Sequence, residues 1–162
     1  MGIFTPFVFK KLSSSEIDLY IETAEKLYNK LYKKSILGSV KSYINSIKDS
    51  NLKKVYTIEA SPEIYYNESE DKIYIPIASC GIWNGFKNGR DREVNDLVNN
   101  TTQDMISFLS EEMKKYKIPG EIRVGGGDWD DYEICIAVGP KHIKALIEIT
   151  EAFSSFARIK FI

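Results

Sequence analysis

The sequence predicts an α+β fold, with an N-terminal helical hairpin followed by two ββα-like units whose strands form a mainly antiparallel sheet covered by helices. Three observations predict it. Apolar residues recur at helical spacing over the first third, and the period switches to two from Val55 onward. Each pair of alternating runs is then followed by a further helical stretch. With 162 residues, 43% hydrophobic and 12% aromatic, the chain is expected to form one domain over 1–162, with 1–52 as its helical part and 53–162 as its sheet part. A chain of this length buries about two-thirds of its unfolded surface, so its core needs neither a metal nor a disulfide staple.

The opening residues 1–9 are apolar and read as a first strand or a packed arm ahead of Lys10 and Lys11. Ser13 and Glu16 have capping-box spacing, and Ile17, Tyr20, Ile21, Ala24, Leu27, Tyr28 and Leu31 then share one helical face. Ile36, Val40, Tyr43, Ile44 and Ile47 mark a second amphipathic helix, which ends in the polar run 49–51. A reversal near Lys33-Lys34-Ser35 makes the two an antiparallel hairpin; the alternative is one bent helix.

Tyr56, Ile58 and Ala60 alternate with Thr57 and Glu59, which gives a half-buried strand interrupted by Ser61-Pro62. A β-like run resumes at 64–66, a polar turn follows at 67–71, and Ile73, Ile75 and Ile77 share a face of the next strand. Pro76 donates nothing to a ladder, so that strand is expected at an edge or bulged at this point. A loop over 81–89 leads to a long helix from Asp91, with Val94, Val98, Thr101, Met105, Phe108, Leu109 and Tyr116 inward and Ile118-Pro-Gly120 as its stop. A short strand at 121–124, a turn at 125–131 and the clearest alternation of the chain at 132–138 come next. Gly139-Pro140 opens a last helix with Ile143, Leu146, Ile147, Thr150 and Phe153 inward, and 157–162 reads as a closing strand.

Charge and cysteine content narrow the function. Twenty-two Lys plus Arg against 23 Asp plus Glu leave a net charge of -1, so no global basic field for nucleic acid exists and only local patches can serve one. Cys80 and Cys135 are too few for a disulfide framework or a four-thiolate zinc site, and each sits in an apolar run as a small hydrophobe. A Cys80–Cys135 bridge is the alternative. This usage points to the reducing cytoplasm, and no apolar run approaches the roughly 20 residues that span a bilayer, so no membrane partner is expected. His142 is the sole histidine, placed in the first turn of a helix where the dipole disfavours its charged form, which leaves nucleophilic catalysis poorly supported.

Two stretches have chemistry-bearing composition. The run 80–92 spaces Gly81, Gly85 and Gly89 four apart among Trp83, Phe86, Lys87, Arg90 and Arg92, between a strand and a helix N-terminus. Free N–H groups and the helix dipole favour an anion there, the cations add charge, and the two aromatics can stack on a base. The glycine spacing fits neither the Rossmann fingerprint nor the phosphate loop, and the blander reading is a structural connection capped by Asp91. The run 125–133 gathers Asp128, Asp130 and Asp131 around Trp129, whose exposed ring would suit an interface. Those carboxylates suit Mg²⁺ or Mn²⁺ if acids from other elements join them, with Glu59, Glu63 and Asp71 as candidates; the blander reading is a glycine-rich turn.

The expectation is therefore a small intracellular noncatalytic binding protein without a cofactor. Its partner is a protein or a phosphate-bearing ligand, nucleic acid included, held by Trp83, Phe86, Lys87, Arg90 and Arg92, with Trp129 at an interface. The alternative is a divalent-metal phosphodiester hydrolase using Asp128, Asp130 and Asp131. A homodimer stays open through whatever part of the Pro76 strand its proline leaves unblocked.

Overall fold

The computed structural model describes residues 12–143. The expected arm at 1–9, the last helix beyond Ile143 and the closing strand at 157–162 lie outside them. Helix α1, Ser14–Leu27, starts on the capping box: the Ser13 hydroxyl accepts from the Glu16 amide at 3.3 Å, and the Glu16 carboxylate accepts from the Ser13 amide at 3.1 Å. It runs through a π-helical turn, Tyr28–Tyr32, directly into α2, Lys33–Ser46.

No reversal occurs at Lys33-Lys34-Ser35. The backbone stays right-handed helical at Tyr28 (φ -58°) and Lys33 (φ -57°), and nothing between them is Gly or Pro. The expected hairpin is thus one helical run, which is the bent-helix alternative. The π turn has a physical role there, because it inserts one residue into the helical period. Ala24, Leu27 and Tyr28 before it and Ile36, Val40 and Ile44 after it consequently enter the same core. A short helix α3, Ser50–Val55, follows where the sequence read only a polar stop. Its N-cap is Asp49, whose carboxylate accepts from the Asn51 and Leu52 amides at 2.9 and 3.2 Å.

The sheet has five strands among the described residues: β1 Tyr56–Ile58, β2 Tyr65–Asn67, β3 Lys72–Gly81, β4 Glu121–Gly127 and β5 Asp131–Val138. All pairings are antiparallel, in the order β1-β3-β5-β4, with β2 beside the first half of β3. Strand β3 is therefore central, and Pro76 does not lie on an edge. It occupies the stretch that β1 and β2 leave open on one side, and the register with β5 slips between Pro76 and Ala78 on the other. The bulged half of the expectation holds. Among the described residues, strands of this chain take both flanks of β3 except beside Pro76. Helix α4, Ile82–Gly85, and helix α5, Arg92–Lys115, link the first three strands to the last two. Of the helix that would complete a second ββα-like unit, only residues 140–143 are described.

Helices α1, α2 and α5 cover one face of the sheet, and this α+β layer holds the core. Ile73, Ile75 and Ile77 of β3, Ile134, Ile136 and Val138 of β5, and Met105 and Leu109 of α5 are all buried in it. The opposite face carries a smaller cluster of Tyr74, Cys135 and Ala137, with Tyr65 against it. Cys80 and Cys135 belong to opposite faces and both are free thiols, so no bridge joins them.

Within the apolar layer lies one polar rung. Tyr56, Cys80 and Tyr132 are register partners on β1, β3 and β5, and all point at α5. The Tyr56 hydroxyl donates to the Val98 carbonyl at 3.0 Å and lies 2.7 Å from the Thr102 hydroxyl, which in turn lies 2.8 Å from the Tyr132 hydroxyl. Because the carbonyl only accepts, Tyr56 gives its proton to it, Thr102 donates to Tyr56, and Tyr132 donates to Thr102. Every hydroxyl in the chain of bonds is satisfied.

Replacing Thr102 by Val keeps the shape but takes away the acceptor of the buried Tyr132 phenol, while Tyr56 keeps the Val98 carbonyl. Urea unfolding of that variant should show a loss of about 1–3 kcal/mol with an unchanged slope. Burial also raises Tyr56 and Tyr132 above the ordinary 10.0, and lifts Tyr28 to about 12 and Cys135 from 9.0 to about 12. The unfolded chain would release these protons at the ordinary values, while the folded chain holds them. The stability they contribute is then whole below about pH 9 and is lost as pH climbs through and beyond 10. Denaturation midpoints should accordingly stay level from neutrality to about pH 9 and fall above it.

Candidate functional site

The two stretches singled out in the sequence meet in space. The last register pair of β3 with β5 is Gly81 with Asp131. One step further, the Ile82 amide donates to the Asp130 carbonyl at 2.9 Å. Ile82 is buried and anchors the single turn of α4, so Trp83 emerges from the protein body beside the β4–β5 turn. Its indole Nε1 donates to Asp130 Oδ2 at 3.0 Å. A Cβ placed on Gly89 would lie 3.0 Å from both Cδ2 and Cε2 of Trp83. These are the fusion atoms at the middle of the indole, so the Gly89 backbone lies close against the ring, and a larger residue there would have to push the indole aside. Trp83 is 46% exposed, held by Asp130 and packed on Gly89.

Lys87, Arg90 and Arg92 follow this ring in sequence and are all exposed. Among the described residues none of the three forms an ion pair. Phe86 is different: it is half-buried and packs on the core, so it supports the loop from beneath. The α5 N-terminus is already occupied as well. Asp91 accepts from the Glu93 amide at 2.8 Å, and Glu93 adds a second acid to the first turn. Anion capture by that helix end is weakened for this reason, and any phosphate affinity rests on the three side-chain cations. Asn95 ties the loop down through donation to the Gly89 and Asp91 carbonyls at 2.7 and 2.9 Å.

On the other side, the Asp128 amide donates to the Asp131 carbonyl at 2.8 Å and closes the β4–β5 turn. Gly126 and Gly127 take φ of 51° and 101° at the β4 bulge, a region costly for other residues. Trp129 projects from the tip at 53% exposure, with Asp128 and Asp131 exposed beside it. The three aspartates do not converge on a metal centre: among the described residues no group of three or more His, Cys, Asp and Glu side chains is placed to hold an ion. Asp130 is engaged by the Trp83 indole instead. Of the acids expected to join them, Asp71 accepts from the Tyr66 hydroxyl on another turn. Glu59 and Glu63 lie near Glu133, whose carboxyl is raised first by burial and then by Glu59, Glu63 and Asp131.

The thiols offer no nucleophile. Burial raises Cys80 and pushes Cys135 up to about 12, so both stay protonated at neutral pH. His142 stands exposed where residues 140–143 begin a helix, as expected, on a cleft of about 450 Å³ shared with Asp71, Lys72 and Glu121. The tie between Trp83 and Asp130, two residues 47 apart, could not be read from sequence; its only local sign was the density of aromatic and acidic residues in two loops. No protein-family model matches the chain, and neither a curated protein nor a solved structure does. No helix among the described residues is long and apolar enough to cross a membrane.

The restraint on Trp83 has a spectroscopic consequence. In a Trp129→Phe background, Asp130→Ala should shift Trp83 emission to the red and lower its steady-state anisotropy, while overall stability changes by less than about 1 kcal/mol, since the bond lies at the surface. Emission identical to that of the parent would show that the indole is not held by the aspartate.

Proposed function

We propose that the chain is a small noncatalytic binding protein that captures a ligand carrying both a flat ring and phosphate, a nucleotide or a single-stranded nucleic acid. The observation that supports this most is the indole of Trp83, held by Asp130 and packed on Gly89, in a loop whose sequence also carries the exposed cations Lys87, Arg90 and Arg92. Stacking on a ring that is already ordered costs little conformational entropy, and unpaired cations of the same loop meet phosphate without first breaking an ion pair. Arginine presents a fork of donors that fits phosphate oxygens in pairs. With a net charge of -1, attraction for phosphate has to come from a local group of cations such as this one rather than from the whole chain. In this reading the compartment is the cytoplasm, where two free buried thiols persist unoxidised.

Trp129 favours a second reading, a protein partner. A tryptophan 53% exposed on a hairpin tip, with acids at both sides, is the kind of residue that anchors a basic partner surface. The two readings separate in one series of titrations. Labelled single-stranded oligonucleotide and nucleoside triphosphate should bind the unmodified protein with an affinity that falls steeply with salt. Arg90→Ala with Arg92→Ala should weaken binding by about tenfold or more, and Trp83→Ala by a similar factor that is independent of salt. Trp129→Ala should leave it unchanged. Equal affinity in parent and double-arginine variant would overturn the proposal, and loss confined to Trp129→Ala would move the site to the hairpin tip.

A further inference from the structure

Strand β4 ends the order β1-β3-β5-β4, so among the described residues its outer backbone groups have no strand beside them. The opposite edge is divided between β1 and β2, each three residues long, whereas β4 has seven. Its far half is blunted by the glycine bulge, which leaves the stretch Gly120 to Val124 as a regular template.

Three features of that stretch are self-complementary. Glu121 and Arg123 project on one face, 2.6 Å apart in their ion pair, and Ile122 and Val124 on the other. Ile122 is buried, yet Val124 is 47% exposed, an apolar knob on the helix side of the strand. Beside it a cleft of about 440 Å³ opens between β4 and α5, lined by Ile106, Met113, Ile118, Gly120 and Ile122 among others. Knob and hole thus lie on one strand, two and four residues apart.

We propose that two copies pair antiparallel through β4 about a two-fold axis at Ile122, forming one continuous sheet across the dimer. That register sets Glu121 of each protomer opposite Arg123 of its partner, twice, and sets Val124 opposite Gly120 of the partner. A Cβ on Gly120 would come within 2.8 Å of the Ala137 carbonyl, so this position admits only glycine and no side chain stands in the way of the incoming valine. Val124 of each copy then enters the α5–β4 cleft of the other. Shifting the register by two residues in either direction puts Glu121 against Glu121 or Arg123 against Arg123, which is repulsive. A shift by one sends the charged face to the helix side. Charge and shape select the same arrangement, and the contact is closed and isologous as a two-fold dimer requires.

The test is a charge exchange read by light scattering coupled to gel filtration, on the full chain, with circular dichroism confirming that each variant is folded. The unmodified protein should have the mass of a dimer. E121R and R123E should each weaken dimerisation by about tenfold or more, because both cross-strand pairs become like-charged. An equimolar mixture of the two variants should recover the dimer. In the mixed pair one chain carries arginine at both positions and the other glutamate at both, so each cross-strand contact again joins opposite charges. V124D should remain monomeric alone and in every mixture. A monomeric parent protein, charge variants that dimerise like the parent, or a mixture that stays monomeric would each overturn the assignment.

Discussion

The rest of the structure depends on the hydroxyl rung that crosses the sheet beneath α5. Tyr56, Cys80 and Tyr132 sit in register on three adjacent strands, and Thr102 joins the two tyrosines while the Val98 carbonyl ends the chain of donors. In an apolar interior a phenol without a partner costs far more than the net gain of any single hydrogen bond. The rung therefore acts as a register lock. A slip of β1 or β5 by one residue would turn a tyrosine to the other face and leave α5 with unpaired polar groups. Among the described residues no buried side-chain nitrogen or oxygen lacks a partner, so the lock is fully engaged.

Its position matters for the surface above it. Cys80 and Tyr132 are the next-to-last pair of β3 and β5, and Gly81 with Asp131 is the last. Where the core fixes the register, the two loops leaving it are fixed beside each other. The Ile82 amide finds the Asp130 carbonyl, and the Trp83 indole finds the Asp130 carboxylate. A surface assembled this way inherits rigidity from the core rather than from its own loops. Asp130 then serves to position an aromatic ring. That role is open to a carboxylate whether or not a metal is present.

Strand β3 shows how one awkward residue shapes a topology. Pro76 has no donor for a neighbour, yet it lies in the middle of the sheet. The chain accommodates it by dividing one flank between β1 and β2 and by slipping register with β5 at the same point. Pairing capacity is thus consumed at the centre, and the long exposed edge falls to β4 instead. There the alternation of Glu121, Ile122, Arg123 and Val124 decides what the edge can accept.

Much of this was legible in the order of residues, because period and capping act locally. The capping box at Ser13, the Asp91 cap of the long helix, the isoleucine face of β3 and the alternation of β5 all appear where the pattern places them. The run 49–51 was ambiguous, since a polar stop and an N-cap use the same residues, and α3 was missed for that reason. The helix joint at Lys33 misled because two apolar stripes out of phase by one residue look like two helices, when a π turn re-phases them within one. The sequence by itself determined the α+β class, the strand faces and the charge of each loop, all of which follow from neighbours a few residues apart; on α5 it set Thr101 and Tyr116 inward, where the structure buries Thr102 and exposes Tyr116. Only the tertiary structure decided that β3 is central, that Trp83 meets Asp130, and that this aspartate holds an indole. Those outcomes depend on strand order and register, set by packing between residues far apart in the chain, and no local period encodes them.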